Sequence, residues 1–147
     1  MKFSDKFDLI QNENISLKIT EKVIGSAEEL PYYYYDIYLK SEAKQIGKIS
    51  IRIGHNKHSY YNGNIGYEIN ENYRGKKYSL EACSLVLQVA KHHNMDYLYL
   101  TSDESNIPSQ KIIEYLGANY IETIKPPKDY IFYHDGIPAH KIYRLDL

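Results

Sequence analysis

Hydrophobic and polar positions alternate through the first half of the chain and change to helical spacing in the second. Over Ile15 to Ile24, Ile15, Leu17 and Ile19 alternate with Ser16, Lys18 and Thr20, the period of a half-buried strand. Gly25 to Pro31 breaks it. Tyr32 to Lys40 places Tyr33, Tyr35, Ile37 and Leu39 on one face and Tyr32, Tyr34, Asp36 and Tyr38 on the other, which predicts a strand with an aromatic outer face. After a turn at Ser41 to Lys44, Gln45 to Ile53 sets Gly47, Ile49, Ile51 and Ile53 against Ile46, Lys48, Ser50 and Arg52. The polar connection Gly54 to Gly63 leads into a fourth strand, Asn64 to Ile69. These strands predict an antiparallel meander. Met1 to Asn14 has no clean period and predicts a loosely packed arm.

From Leu80 onward the apolar positions Leu80, Cys83, Val86, Leu87 and Ala90 recur at helical spacing, so Gly75 to about His93 predicts an amphipathic helix with Glu81, Gln88 and Lys91 toward water. Asn94 ends it. Tyr97 to Thr101 is a short strand, expected parallel to its predecessor because a helix connects them. Ser105 or Asn106 then caps a second helix with Pro108 in its first turn, an apolar stripe of Ile112, Ile113 and Leu116, and Gly117 as its stop. Asn119 to Ile124 returns as a strand. Tyr130 to Tyr133 and Ala139 to Leu147 predict a closing hairpin around His134 to Pro138. No repeat or linker interrupts the pattern, so residues 1–147 are expected to form one α+β domain with a mixed sheet.

Composition narrows the function classes. With 18 Lys+Arg against 19 Asp+Glu the net charge is -1, which argues against nucleic-acid binding through a global basic field and makes any anion site local. The N-terminus lacks a secretory pattern, the mean hydropathy is -0.56, and no apolar run approaches the roughly 20 residues of a membrane span, so the expectation is a cytoplasmic protein without a membrane partner. The lone Cys83 lies on the apolar helix face and reads as a small core group. His92 and His93 at a helix end suit the helix dipole, and no spacing supports a metal. Seventeen Tyr against three Phe and no Trp suit half-wet grooves and ordinary sheet faces alike.

The candidate chemistry lies in NIGYEINENYRGKKYS, Asn64 to Ser79. A turn opening a helix offers unpaired N–H groups and the positive end of the helix dipole, which suits a phosphate or pyrophosphate, and Lys76 and Lys77 add charge there. Two motifs then stand in order. YRGKKYS, Tyr73 to Ser79, is similar to the R/Q-x-x-G-x-G/A turn of the GNAT superfamily of acyl-CoA-dependent N-acetyltransferases. NIPSQKIIEYLGA, Asn106 to Ala118, is similar to that family's N-x-x-S/A helix ending in Gly. With their framing strands they cover roughly Asn64 to Ile124. The Ser/Ile pattern of the second motif resembles the branch that includes ribosomal-protein N-terminal acetyltransferases.

The resemblance implies a GNAT-like fold: an N-terminal antiparallel meander, splayed fourth and fifth strands, two main helices and a C-terminal hairpin. It implies acetyl-CoA as acyl-donor cosubstrate, without metal. Arg74, Gly75, Lys76, Lys77, Tyr78 and Ser79 would bind the pyrophosphate. The free edge at Glu68 to Asn70, with Ile69 and Asn70 as cofactor-binding positions, would pair with the pantetheine arm as an added strand would. Asn106 and Ser109 would hold the arm from the other side. Glu68 is the candidate general base and Ser109 a candidate proton donor to sulfur; as ordinary structure they are a solvated strand carboxylate and a first-turn helix serine.

Two departures from the pattern matter. Lys77 stands at the first glycine position of the turn, which costs about 1–2 kcal/mol if φ there is positive. Ile113 stands where many members carry a tyrosine thought to protonate the thiolate, and Tyr115 points elsewhere on the helix. The resemblance implies as acceptor a primary amine of a small molecule or peptide, entering over the Tyr-rich strand and the C-terminal hairpin, and the short Gly25 to Pro31 connection predicts an open acceptor groove. Rival readings are a catalytically inactive CoA-binding module and a nucleotide-binding protein, the latter lacking the G-x-x-x-x-G-K-[ST] spacing. Monomer and homodimer both remain open.

Overall fold

The computed structural model describes every residue from Met1 to Leu147. The meander forms as the alternation predicts, with one strand more. Strands β1 (Leu9–Gln11), β2 (Ile15–Val23), β3 (Tyr32–Leu39), β4 (Lys44–Arg52) and β5 (Ile65–Ile69) make a five-stranded antiparallel sheet in chain order. A one-turn helix α1 (Ser59–Asn62) lies in the β4–β5 connection. Helices α2 (Tyr78–His92) and α3 (Ile107–Tyr115) flank β6 (Tyr97–Asp103), and β7 (Asn119–Ile124) and β8 (His140–Asp146) complete a second sheet in the order β6-β8-β7.

The inner face of the large sheet buries Leu17, Tyr33, Tyr35, Ile37, Ile49 and Ile51 against Ala82, Cys83, Val86, Val89 and Ala90 of α2. Alternation on β3 is followed residue by residue. On β4 it is not: Ile46, expected with the outward set, is fully buried. A bulge between Ile37 and Tyr38 shifts the β3–β4 register at the end of the strand and turns Ile46 inward.

The N-terminal arm is docked, contrary to the loose packing its irregular pattern predicts. Phe7 and Ile10 are buried, the Tyr35 hydroxyl donates to Phe7 O at 2.7 Å, and Ser4 N–H donates to the Tyr33 hydroxyl at 2.8 Å. Asn12 and Asn14 each donate a side-chain amide to Glu81 Oε1 at 2.9 Å. Glu81, expected in water, thus ties the arm to α2. The signal was two tyrosine hydroxyls and a carboxylate reaching across the chain, which no local period displays.

The closing hairpin also differs. Tyr130 to Tyr133 is a turn, and β8 pairs antiparallel with both β7 and β6. The C-terminal hairpin is therefore β7–β8. Pro126, Pro127 and Pro138 in the connection remove backbone donors and favour turns over a further strand. No helix is long and apolar enough to cross a membrane.

Candidate functional site

Strands β5 and β6 share no ladder; they separate from a single stitch. Asn64, fully buried just before β5, donates its backbone N–H to Tyr99 O at 2.7 Å and accepts Tyr99 N–H on Oδ1 at 2.9 Å. Its Nδ2 donates to Arg52 O and Gly54 O. One side chain thus serves the backbone of both sheets at the vertex of a V. Gly63 beside it has φ 76°, and a Cβ there would lie 3.2 Å from Thr101 Oγ1 and 3.3 Å from Tyr99 O, so the close approach requires glycine.

Beyond the vertex β5 has one free edge. Arg52 N–H donates to Asn64 O and Asn70 N–H to Ile46 O, so the even-numbered residues of this stretch face β4. By the alternation of an antiparallel ladder, the N–H groups of Tyr67 and Ile69 and the carbonyl of Tyr67 point into the V. The Ile69 carbonyl is occupied by Arg74, whose Nε–H donates to it at 2.8 Å. Arg74 folds back on the strand and thereby aims the turn that follows. Asn70 adds a 3.4 Å contact from Nδ2 to Gln45 O.

The turn is irregular: Gly75 has φ 77° and Lys77, at the N-cap of α2, has φ 65° and ψ 17°. Lys77 therefore adopts the left-handed conformation that a glycine would take at lower cost. The helix begins at Tyr78, three residues later than the sequence pattern suggests, because two positive φ values intervene. No side chain caps it, leaving its first N–H groups at the surface beside exposed Lys76 and Lys77 and half-buried Tyr78 and Ser79. Both ammonium groups rest near aromatic faces, Lys76 5.9 Å from the Tyr73 ring centre and Lys77 4.8 Å from that of Tyr115.

Across the V, Asn106 caps α3 by accepting Ser109 N–H on Oδ1 at 3.2 Å. The Ser109 hydroxyl lies 3.1 Å from the Tyr67 hydroxyl, a bridge between β5 and α3. Burial raises the Tyr67 pKa, while the Ser109 hydrogen bond works in the opposite direction, so the phenol holds its proton at neutral pH. Beneath them Ile65, Leu100, Ile112, Ile113 and Leu116 close the apolar floor to about 10 Å³, space for about one water. Cys83 lies in that floor, its pKa pushed up to about 12 by burial, which makes it inert as a nucleophile.

Glu68 is exposed on the opposite, outer face of β5, paired in register with Lys48 of β4. On the same face a cavity of about 180 Å³ is lined by Tyr32, Tyr34, Ser50, Arg52, His58 and Phe132. Its walls are three loops held by one buried histidine. His58 Nδ1 accepts Ile131 N–H at 3.1 Å, which leaves Nε2 to donate to Glu28 Oε2 at 2.6 Å. The sequence marks neither this clamp nor Asn64, since their partners are 30 to 73 residues away. Tyr33 and Tyr35 lie on the other face under the N-terminal arm, and the His93 ring nitrogen meets the Tyr33 hydroxyl at 2.8 Å, so these are packing groups. No three His, Cys, Asp or Glu side chains converge as metal ligands would.

Residues 8–119 match the acetyltransferase (GNAT) domain model. The chain belongs to the GNAT acetyltransferase family. A GNAT-family acetyltransferase from Bacillus anthracis has a similar structure, with a TM-score of 0.69 at 17% identity, covering 94% of this chain and 98% of that one. The ribosomal-protein-S5-alanine acetyltransferase of Vibrio fischeri gives 0.61 at 20% identity over 78% of this chain and 61% of its own. The microcin C7 self-immunity acetyltransferase MccE, solved with acetyl-CoA and AMP, gives 0.60 at 17% over 79% and 61%. No curated protein sequence matches the chain. The α+β GNAT fold with splayed β5 and β6 and a C-terminal hairpin is the one the resemblance implies, but the expected mixed sheet is two antiparallel sheets, because β6 pairs with β8 and not with β5.

Proposed function

We propose that this GNAT domain, residues 1–147 acting as one unit in the cytoplasm, transfers an acetyl group from acetyl-CoA to a primary amine of a small molecule or peptide by direct attack in a ternary complex. The observation that carries the reading is the free edge of β5 running into the Arg74 to Ser79 turn. The outward N–H groups of Tyr67 and Ile69 and the Tyr67 carbonyl suit the amides of a pantetheine arm, and the uncapped start of α2 with Lys76 and Lys77 suits a pyrophosphate. MccE, of similar fold, was solved with acetyl-CoA. Asn106 and Ser109 face β5 across the same V, whereas Asn70, expected at the cofactor edge, turns its N–H and its side chain to β4.

Acetyl-CoA supplies an activated acyl group as a thioester. Glu68 takes the amine proton, directly or through a water, as the N–C bond forms. Ile69 N–H stabilises the oxyanion. Ser109, backed by the protonated Tyr67, delivers a proton to sulfur as the C–S bond breaks, the role that Ile113 lacks a group to fill. Proximity within the ternary complex supplies much of the rate.

A second reading, a CoA-binding module without catalysis, is favoured by one feature: Lys77 holds a strained conformation with its ammonium turned to Tyr115. Calorimetry with acetyl-CoA, CoA and ATP tests the binding half of both readings. Saturable binding of acetyl-CoA and CoA, weakened by Ile69→Pro, which removes the N–H at the free edge, is the expected result. Binding of ATP alone would overturn both.

A further inference from the structure

The cavity on the outer face contains a charge arrangement that the acetyl-CoA site does not use. Arg52, on β4, is half-buried and forms no ion pair; its one hydrogen bond runs from Nη1 to Gly63 O at 3.1 Å. Burial lowers its pKa, and Tyr130, Tyr32 and Glu29 only partly offset that cost. The guanidinium lies over Gly66: a Cβ there would be 3.8 Å from Nη1, 3.9 Å from Nη2 and 3.3 Å from Ser50 Oγ. The bare glycine leaves the cation open from above, and the Ser50 hydroxyl beside it has no partner. Facing it are Glu28, fixed by His58, and the exposed carboxylate of Glu29. Gly66 and Glu68 share this face one pleat apart, roughly 7 Å along the strand.

We infer that Arg52 and Ser50 bind the carboxylate of the acceptor, with its amine end directed past Gly66 toward Glu68, so that the preferred substrate is a small amino-carboxylate. This rests on the acetyltransferase reading and names the substrate class of its acceptor side. A planar guanidinium without an ion partner binds a carboxylate in bidentate fashion. Glu28 and Glu29, at the end of the cavity away from Glu68, disfavour a dianion such as a phosphate monoester, which leaves a monocarboxylate as the fitting anion. Tyr32, Tyr34 and Phe132 leave room for a short carbon chain.

The test is acetyl transfer by the intact protein to amino-carboxylates of graded chain length, each compared with its methyl ester and its decarboxylated amine, for the wild type, R52K and R52Q. The expected result is a KM about tenfold lower for at least one amino-carboxylate than for its two neutralised counterparts, a preference lost in R52Q and partly kept in R52K. Thermal melts of each variant check that loss of the Gly63 contact has not unfolded it, and the wild-type comparison needs no variant. Transfer indifferent to the carboxylate, or an equal rise in KM for all acceptors in R52Q, would overturn the inference while leaving the transferase reading standing. If no amine releases thiol, the transferase reading fails instead, and calorimetry decides the inference: amino-carboxylate binding lost in R52Q supports it, and absence of binding to the wild type overturns it.

Discussion

Asn64 and Tyr99 exchange two hydrogen bonds, 2.7 Å and 2.9 Å long, and these join the two sheets at the vertex of the V. The relationship is asymmetric, since one of Asn64's two groups is a side-chain oxygen. That leaves its Nδ2 for Arg52 O and Gly54 O, so the vertex has no orphaned polar group. Asn64→Asp keeps the shape and removes both side-chain donors. It is expected to cost about 3 kcal/mol in urea unfolding, because two carbonyls lose a partner and a buried carboxylate faces them. A loss under about 0.5 kcal/mol would mean that the stitch is dispensable.

Lys77 stores strain at a surface turn. Lys77→Gly relieves a φ of 65° and is expected to stabilise the protein by about 1 kcal/mol, a rise of roughly 3 °C in Tm, despite losing the Tyr115 contact. The same variant should bind CoA modestly less well through loss of its ammonium. Tighter binding would assign the residue to strain alone.

The Tyr67–Ser109 pair spans the V, so its two members should act together. Ser109→Ala and Tyr67→Phe are each expected to lower kcat, by about 10²-fold for Ser109, with KM for acetyl-CoA nearly unchanged, and the double variant should be little worse than Ser109→Ala. Steady-state kinetics check this. Multiplicative effects of the two substitutions would separate their roles.

Burial sets an alkaline limit on stability. Cys83 has its pKa raised from an ordinary 9.0 to about 12, so between these values the unfolded chain loses a proton that the folded chain retains. The contribution is complete below pH 9 and is lost as pH rises, at about 1.4 kcal/mol per pH unit. Buried Tyr35 and Tyr143 add to the fall from pH 10 upward. In denaturation measured from pH 8 to 10.5, Cys83→Ala should start less stable and decline less steeply. Parallel curves would show that the thiol is not responsible.

The strands of the meander, both main helices and the Gly117 stop were legible because each depends on spacing within a few residues. The Asn106 cap was legible for the same reason. The docked arm, Ile46, Asn64 and the His58 clamp were not. Tyr35 to Phe7, Asn64 to Tyr99 and His58 to Ile131 join parts of the chain that only the finished fold brings together. The Ile46 bulge is a register shift that alternation on β4 alone does not encode. At the candidate site the sequence located the edge and the turn, while the outer cavity came from loops whose composition reads only as polar.

Catalysis is proposed to occur at the free edge of β5. The most direct measurement follows thiol release from acetyl-CoA by the wild type and by Glu68→Gln across a panel of small-molecule and peptide amines, with binding of acetyl-CoA measured in parallel. The expected result is amine-dependent release that falls about 10²-fold in Glu68→Gln while acetyl-CoA affinity is unchanged. Binding of acetyl-CoA with no release on any amine would contradict it.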